Sequence, residues 1–84
     1  MTKPDKLYQQ LLRNSSMVIS YRDFEALHRL FGFDSSPGKD SHTNWKHTAV
    51  PVLLTSQPDG KDAVRYQVKR LLAVIEAYEL YKNL

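Results

Sequence analysis

The spacing of apolar residues changes twice along this chain, and this change limits the fold more than any other feature. Apolar residues recur at helical spacing as far as Phe31, strand-forming residues dominate from 33 to 55, and helical spacing returns from Val64. Helical spacing gathers apolar side chains on one side of a helix, whereas a strand sends alternate side chains to opposite faces. The sequence therefore predicts an α+β domain with a three-stranded antiparallel sheet and helices on one of its faces.

Three helices are predicted from apolar stripes and end signals. The first covers about residues 5–13, the second lies between the N-cap Ser20 and the C-cap Gly32, and the third runs from about Asp62 to near Leu80. Their stripes are Leu7, Leu11 and Leu12; Phe24, Leu27, Leu30 and Phe31; and Val64, Val68, Leu71, Leu72, Ile75 and Tyr78. The order of elements is then two helices, three strands and one helix, or ααβββα.

The predicted strands lie between the second and third helices. They cover about residues 33–36, 41–47 and 50–55, and a loop is expected at 57–60. Pro37-Gly38 is the dipeptide expected at the centre of a type II turn, so a hairpin bend is predicted there. Pro51 has no amide hydrogen to donate and is expected at the start of its strand or on a sheet edge.

Composition excludes several classes of protein. The 84 residues allow one hydrophobic core, and the lack of cysteine excludes disulfides, thiolate zinc sites and a cysteine nucleophile. No signal-like apolar region and no run of about 18 apolar residues is present, so a cytoplasmic protein without membrane contact is expected. The net charge of +3, from 12 Lys and Arg against 9 Asp and Glu, permits contact with nucleic acid without requiring it.

Residues 38–47, GKDSHTNWKH, hold two of the three histidines and the only tryptophan. In a regular strand His42 and Lys46 share one face, whereas Trp45 and His47 share the other. The single tryptophan is expected to face the core, so His42 and Lys46 are expected to face solvent. Because the two histidines then point apart, the strand does not predict a metal site or a paired acid and base.

A solvent-facing histidine beside a lysine provides the two groups that are sufficient for cutting RNA, an acid or base and a cation. Imidazole, with an ordinary pKa near 6.5, can take the proton of a 2′-hydroxyl or supply one to the leaving 5′-oxygen. A nearby ammonium group can stabilise the charge that grows on the phosphoryl oxygens. The alternative is that His42 simply belongs to a polar sheet face. His28, between Phe24 and Phe31, is expected at the boundary of the core.

Basic residues concentrate in the first half of the third predicted helix. Arg65, Lys69 and Arg70 lie there, while the acidic residues of the helix lie in its second half. This order opposes the helix dipole, which favours acids at the start and bases at the end. Together with Lys61, these residues form a plausible phosphate cradle. The alternative is a solvated helix face, because each dipole interaction contributes only about 0.3–1 kcal/mol.

Three segments resemble a known family. YRDFEALHRLFGF at 21–33, KDSH at 39–42 and QPDGKDAVRYQVKRLLAVIEAYEL at 57–80 look like the HicA toxins of HicA–HicB toxin–antitoxin pairs. The most specific parts are the Ser-His dipeptide and the loop and helix that follow Gln57-Pro58. The likeness covers about residues 21–80, which it marks as the core of a single domain over 1–84, with the helix at about 5–13 as an N-terminal addition.

The resemblance implies a double-stranded-RNA-binding-like fold and the activity of an mRNA interferase. Such an endoribonuclease cuts mRNA with one histidine and needs neither metal nor cofactor. In the family motif this histidine follows Gly-Ser, which makes His42 the implied catalytic residue, and Asp40 stands at the position of the family glycine. The implied protein partner is a HicB-like antitoxin.

The sequence as a whole thus predicts a ribonuclease toxin with a basic surface around His42. Lys39 and Lys46 would hold the scissile phosphate. Four further residues would follow the RNA backbone: Lys61, Arg65, Lys69 and Arg70. Two alternatives remain open at this point, a non-catalytic RNA-binding module of the same fold and a domain that only binds a protein partner.

Overall fold

A computed structural model describes residues 3–84 of the chain. The helices are α1 (Pro4–Arg13), α2 (Tyr21–Leu30) and α3 (Arg65–Ala77), and a short 3-10 helix covers Leu80–Asn83. The strands are β1 (Asp34–Pro37), β2 (Thr43–His47), β3 (Val50–Ser56), β4 (Pro58–Asp59) and β5 (Asp62–Ala63). Strands β1, β2 and β3 form an antiparallel sheet in that order, and β4 pairs with β5 in a separate small hairpin. The chain is an α+β domain.

The helix α2 begins after its predicted N-cap and ends one residue earlier than predicted, because its C-cap is Phe31 and Gly32 follows it. Ser20 is the N-cap, and its hydroxyl oxygen accepts a hydrogen bond of 3.1 Å from the backbone N–H of Asp23. At the other end Gly32 has a φ of +86°, the left-handed conformation that glycine adopts without a steric penalty. The predicted first helix at 5–13 also agrees with α1 to within one residue at its start.

The third helix begins later than predicted. Asp62 and Ala63 pair with Pro58 and Asp59, so the predicted loop at 57–60 is partly a strand and the helix starts only at Arg65. The N–H of Ala63 also donates to the carbonyl of Ile19, which ties this hairpin to the segment before α2. The backbone hydrogen bonds of these residues are therefore made outside the helix, which delays its start.

The prediction of a type II turn at Pro37-Gly38 is wrong. Pro37 belongs to β1 and pairs with Thr43, and Gly38 does not have the positive φ that this turn requires. Proline is tolerated because β1 is an edge strand and its missing N–H leaves no ladder bond unmade. The bend instead covers residues 38–42, where Asp40 takes the left-handed conformation with a φ of +56°. His42 therefore lies in a hairpin loop and not in a strand.

Trp45 lies at the centre of the core, as its strand position predicts. Its side chain is fully buried, and its indole N–H donates to the hydroxyl of Ser56 at 2.9 Å. The indole ring stacks on His28 of α2, with ring centroids 4.3 Å apart. Helix α1 belongs to the same core through three buried side chains, those of Leu7, Tyr8 and Leu11. The face of the sheet that carries Trp45 is thus the packed face.

The expectation that His28 lies at the core boundary is wrong, because the side chain is only 1% exposed. Its Nδ1 atom lies 2.8 Å from the carbonyl oxygen of Phe24, and since a carbonyl only accepts, Nδ1 carries the hydrogen. Burial is the main reason that the pKa of His28 falls from 6.5 to about 4. His28 is therefore a neutral, structural residue at neutral pH.

Candidate active site

His42 is placed by the hairpin loop between β1 and β2. The backbone N–H of His42 donates to the carbonyl of Lys39, and the N–H of Gly38 donates to the carbonyl of His42, both at 3.0 Å. The imidazole Nδ1 lies 2.8 Å from the same Lys39 carbonyl oxygen. Nδ1 therefore carries a hydrogen, and the neutral ring has its free lone pair on Nε2. The side chain is half-buried, so the imidazole ring is partly open to solvent.

His47 has a different environment, although it lies only five residues away. Its Nδ1 accepts a hydrogen bond of 2.9 Å from the N–H of Ala49, and its ring packs edge-on against Phe33 with a centroid distance of 5.0 Å. A side chain at Gly32 would come within 3.3 Å of the His47 Nε2 atom. His47 thus fills space between the sheet and the end of α2, on the side of Trp45, as predicted.

A cavity of about 200 Å³ opens beside His42. Its walls come from the hairpin loop, from β3 and the residue that follows it, and from the start of α3; the lining residues are His42, Leu53, Thr55, Gln57, Tyr66, Gln67 and Arg70. These residues include an imidazole and a guanidinium but no carboxylate. Small-molecule pockets usually measure roughly 300–1,000 Å³. The cavity therefore suits a group of the size of a phosphate more than an enclosed cofactor.

The predicted phosphate-binding residues do not all lie together. Arg70 lines the His42 cavity, whereas Lys69 lines a separate groove with Tyr8 of α1 and Tyr81 of the 3-10 helix. Consecutive helical residues point about 100° apart, which explains this separation. Lys39 belongs to the loop that holds His42, and three further lysines and arginines are exposed outside the cavity lining: Lys46 on β2, Lys61 between β4 and β5, and Arg65 at the start of α3.

Tyr66 and Gln67 also line the cavity, although the sequence predicts no site role for them. Tyr66 is 67% exposed and lies one helical turn before Arg70, whereas Gln67 is only 8% exposed. The Gln67 side-chain oxygen accepts from the N–H of Gln57 at 3.2 Å, and its amide nitrogen donates to the Tyr66 hydroxyl at 3.5 Å. The spacing of Tyr66 and Arg70 by four residues places them on one helical face and is the sequence signal that points to Tyr66.

Between Lys3 and Leu84 no three side chains of His, Cys, Asp or Glu come together in a way that could hold a metal ion. None of the helices described over this range is long and apolar enough to cross a membrane.

The arrangement around His42 can transfer a proton and hold an anion. Hydrogen bonding to Lys39 orients the imidazole, and the guanidinium of Arg70 lies in the same cavity. Comparison of the chain with protein-family models, with curated proteins and with solved structures finds no match.

Proposed function

We propose that this protein is a HicA-like endoribonuclease, the toxin of a type II toxin–antitoxin pair, which cuts mRNA with His42. The observation that carries the proposal is the Nδ1–H bond from His42 to the Lys39 carbonyl, which leaves Nε2 free at a cavity shared with Arg70. His28 and His47 are both held in structural contacts, so they offer no comparable group. The proposal includes a double-stranded-RNA-binding-like fold, in which α2, the three-stranded sheet and α3 would form the core and the β4–β5 hairpin would be an insertion between β3 and α3.

Cleavage of RNA by this route requires two proton transfers. One proton leaves the attacking 2′-hydroxyl, and one reaches the leaving 5′-oxygen. The 2′-oxygen of the RNA attacks the neighbouring phosphorus while His42 Nε2 takes its proton, and the bond from phosphorus to the 5′-oxygen breaks. The imidazolium formed in this way then gives that proton to the leaving 5′-oxygen, which departs as a hydroxyl, and His42 returns to its neutral form. Arg70 stabilises the charge on the nonbridging oxygens. The products are a 2′,3′-cyclic phosphate and a 5′-hydroxyl.

The conformation of Asp40 supports the correspondence between Asp40-Ser41-His42 and the Gly-Ser-His motif of the family. Asp40 has a φ of +56°, in the left-handed region where glycine is the ordinary residue. Aspartate is among the few other residues that enter this region with some frequency. Aspartate is therefore compatible here with a backbone conformation for which glycine is the ordinary residue.

Cleavage assays with a labelled RNA test the proposal against its alternatives. Purified protein in excess chelator is expected to cut the RNA at neutral pH. Intact RNA together with salt-dependent binding would instead identify a non-catalytic RNA-binding module. If the protein neither cuts nor binds the RNA, the remaining alternative is a domain that binds only a protein partner. In the proposed system the protein contact is made by a HicB-like antitoxin, which inhibits the toxin by covering the His42 cavity.

The separation of Arg70 from Lys69 gives a prediction with a matched control on the same helix. Arg70→Ala is expected to lower the slope of log K against log[salt] by roughly 0.7, the loss of one phosphate contact to a single strand. Lys69→Ala is expected to keep the parental slope, because Lys69 lines a different groove. Filter binding of a 2′-O-methyl oligonucleotide, which cannot be cut by this mechanism, measures both slopes. An unchanged slope for Arg70→Ala would remove this residue from the RNA site.

A further inference from the structure

The wall of the His42 cavity contains two exposed apolar side chains. Tyr66 is 67% exposed and Leu53 is 46% exposed, and both line the cavity together with His42 and Arg70. Tyr66 is the most exposed large apolar side chain in the part of the chain that the structure describes. Exposed aromatic rings next to polar groups are a frequent feature of binding surfaces.

The exposed Tyr66 side chain makes one weak polar contact within the protein. Its hydroxyl accepts a hydrogen bond of 3.5 Å from the amide of Gln67, and Gln67 is itself buried and bonded to the backbone N–H of Gln57. A contact of this length restricts the ring only weakly, and the exposed ring offers a flat apolar surface to a ligand at the cavity mouth.

The chemistry of the cavity selects the kind of ligand that uses this surface. A volume of about 200 Å³ holds a phosphate-sized group, so the remainder of a larger ligand must lie at the rim, where Tyr66 is exposed. The lining carries a guanidinium and an imidazole with no carboxylate, which favours an anion. A ligand that joins an anionic group to a flat apolar group matches both features, and a nucleotide is such a ligand.

We propose that Tyr66 is a base-stacking residue, on whose ring an unpaired nucleobase next to the scissile phosphate stacks, and that Leu53 supplies a second apolar contact in the same cavity. This inference rests on the proposed function for the identity of the ligand as RNA. Arg70, one turn further along α3, holds the phosphate that follows the stacked base. Base pairs in a duplex are already stacked on both faces, so Tyr66 selects single-stranded RNA or an unpaired nucleotide.

Binding of an uncleavable single-stranded 2′-O-methyl oligonucleotide tests the inference. Tyr66→Ala is expected to weaken binding about 5- to 150-fold, the range for loss of one stacked base, whereas Tyr66→Phe keeps the ring and stays within about twofold of the parent. Tyr78→Ala is the matched control, because Tyr78 is an exposed tyrosine at the other end of α3. The same oligonucleotide annealed to its complement is expected to bind the parent less tightly and to be insensitive to Tyr66→Ala.

The results separate this inference from the proposed function. Binding by Tyr66→Ala as tight as by the parent overturns base stacking, even where the parent cuts RNA, and assigns the exposed ring to contact with a protein. Failure of the parent to cut an all-ribose RNA overturns the nuclease, even where binding depends on Tyr66. Failure of the parent to bind either oligonucleotide overturns both.

Discussion

Replacing His42 with alanine is expected to lower the rate of RNA cleavage about 10²–10⁴-fold, the usual contribution of a positioned acid or base. The variant should remain folded, because the change removes one hydrogen bond in an exposed loop and the free energy of unfolding should fall by no more than about 1 kcal/mol. Gel analysis of a labelled RNA measures the rate, and chemical denaturation measures the stability.

His47→Ala is the control for this variant. Its side chain packs on Phe33 and accepts a hydrogen bond from Ala49, so its loss is expected to cost stability, by about 1 kcal/mol, before it costs catalysis. The folded fraction of His47→Ala should cut RNA at the parental rate. Parental cleavage by His42→Ala, or a larger loss of cleavage per folded molecule in His47→Ala, would contradict the assignment of His42.

Acidification from pH 7 to pH 4 is expected to remove about 3 kcal/mol of the free energy of unfolding through His28 alone. The pKa of His28 is about 4 in the folded protein, because the side chain is buried against Trp45 and Phe33 and lies near the charge of Arg29. In the unfolded chain an ordinary histidine pKa is near 6.5. Between these values the unfolded chain binds more protons, so this stability is complete above about pH 6.5 and is lost as the pH falls towards 4.

Urea denaturation at several pH values between 7 and 4 measures this loss, which is a large part of the roughly 5–15 kcal/mol typical of a whole domain. The variant His28→Phe keeps an aromatic ring against Trp45 but cannot titrate. Between pH 7 and pH 4 the free energy of unfolding of this variant is expected to fall less than that of the parent. The difference between the two falls should equal the contribution of His28. Parallel pH profiles for the two proteins would show that His28 is not the titrating group.

The spacing of apolar residues predicted those parts of the fold that depend on one helix or one strand alone. The stripe of α2 and the inward position of Trp45 follow from the spacing of side chains within one helix or strand. The α1 stripe is confirmed at Leu7 and Leu11 but is wrong at Leu12, which is 62% exposed. The 58–63 hairpin was missed because strands of two residues carry no periodic pattern. The bend at 38–42 was misplaced because an edge strand accepts Pro37 and because aspartate replaces glycine in the left-handed position.

The candidate site was predicted only in part, because it is assembled by tertiary contacts. Residue type predicts His42 and Arg70 as site residues, and in the structure both line one cavity. The contributions of β3 and of Tyr66 depend on how β3 and α3 pack, which no local pattern records. For the same reason the burial of His28 was not foreseen, since its stacking partner Trp45 lies on a different element.

The most direct test of the central claim uses two RNAs that differ in one atom. The parent protein first locates a cleavage site in a labelled all-ribose RNA, and a second RNA is then made with a single 2′-deoxyribose immediately 5′ of the scissile phosphate. Transfer of the 2′-hydroxyl proton to His42 is the proposed first event, so the first RNA should be cut in excess chelator to a 2′,3′-cyclic phosphate end and the second should stay intact at that position. Equal cleavage of both RNAs, or no cleavage of the first, would contradict the mechanism.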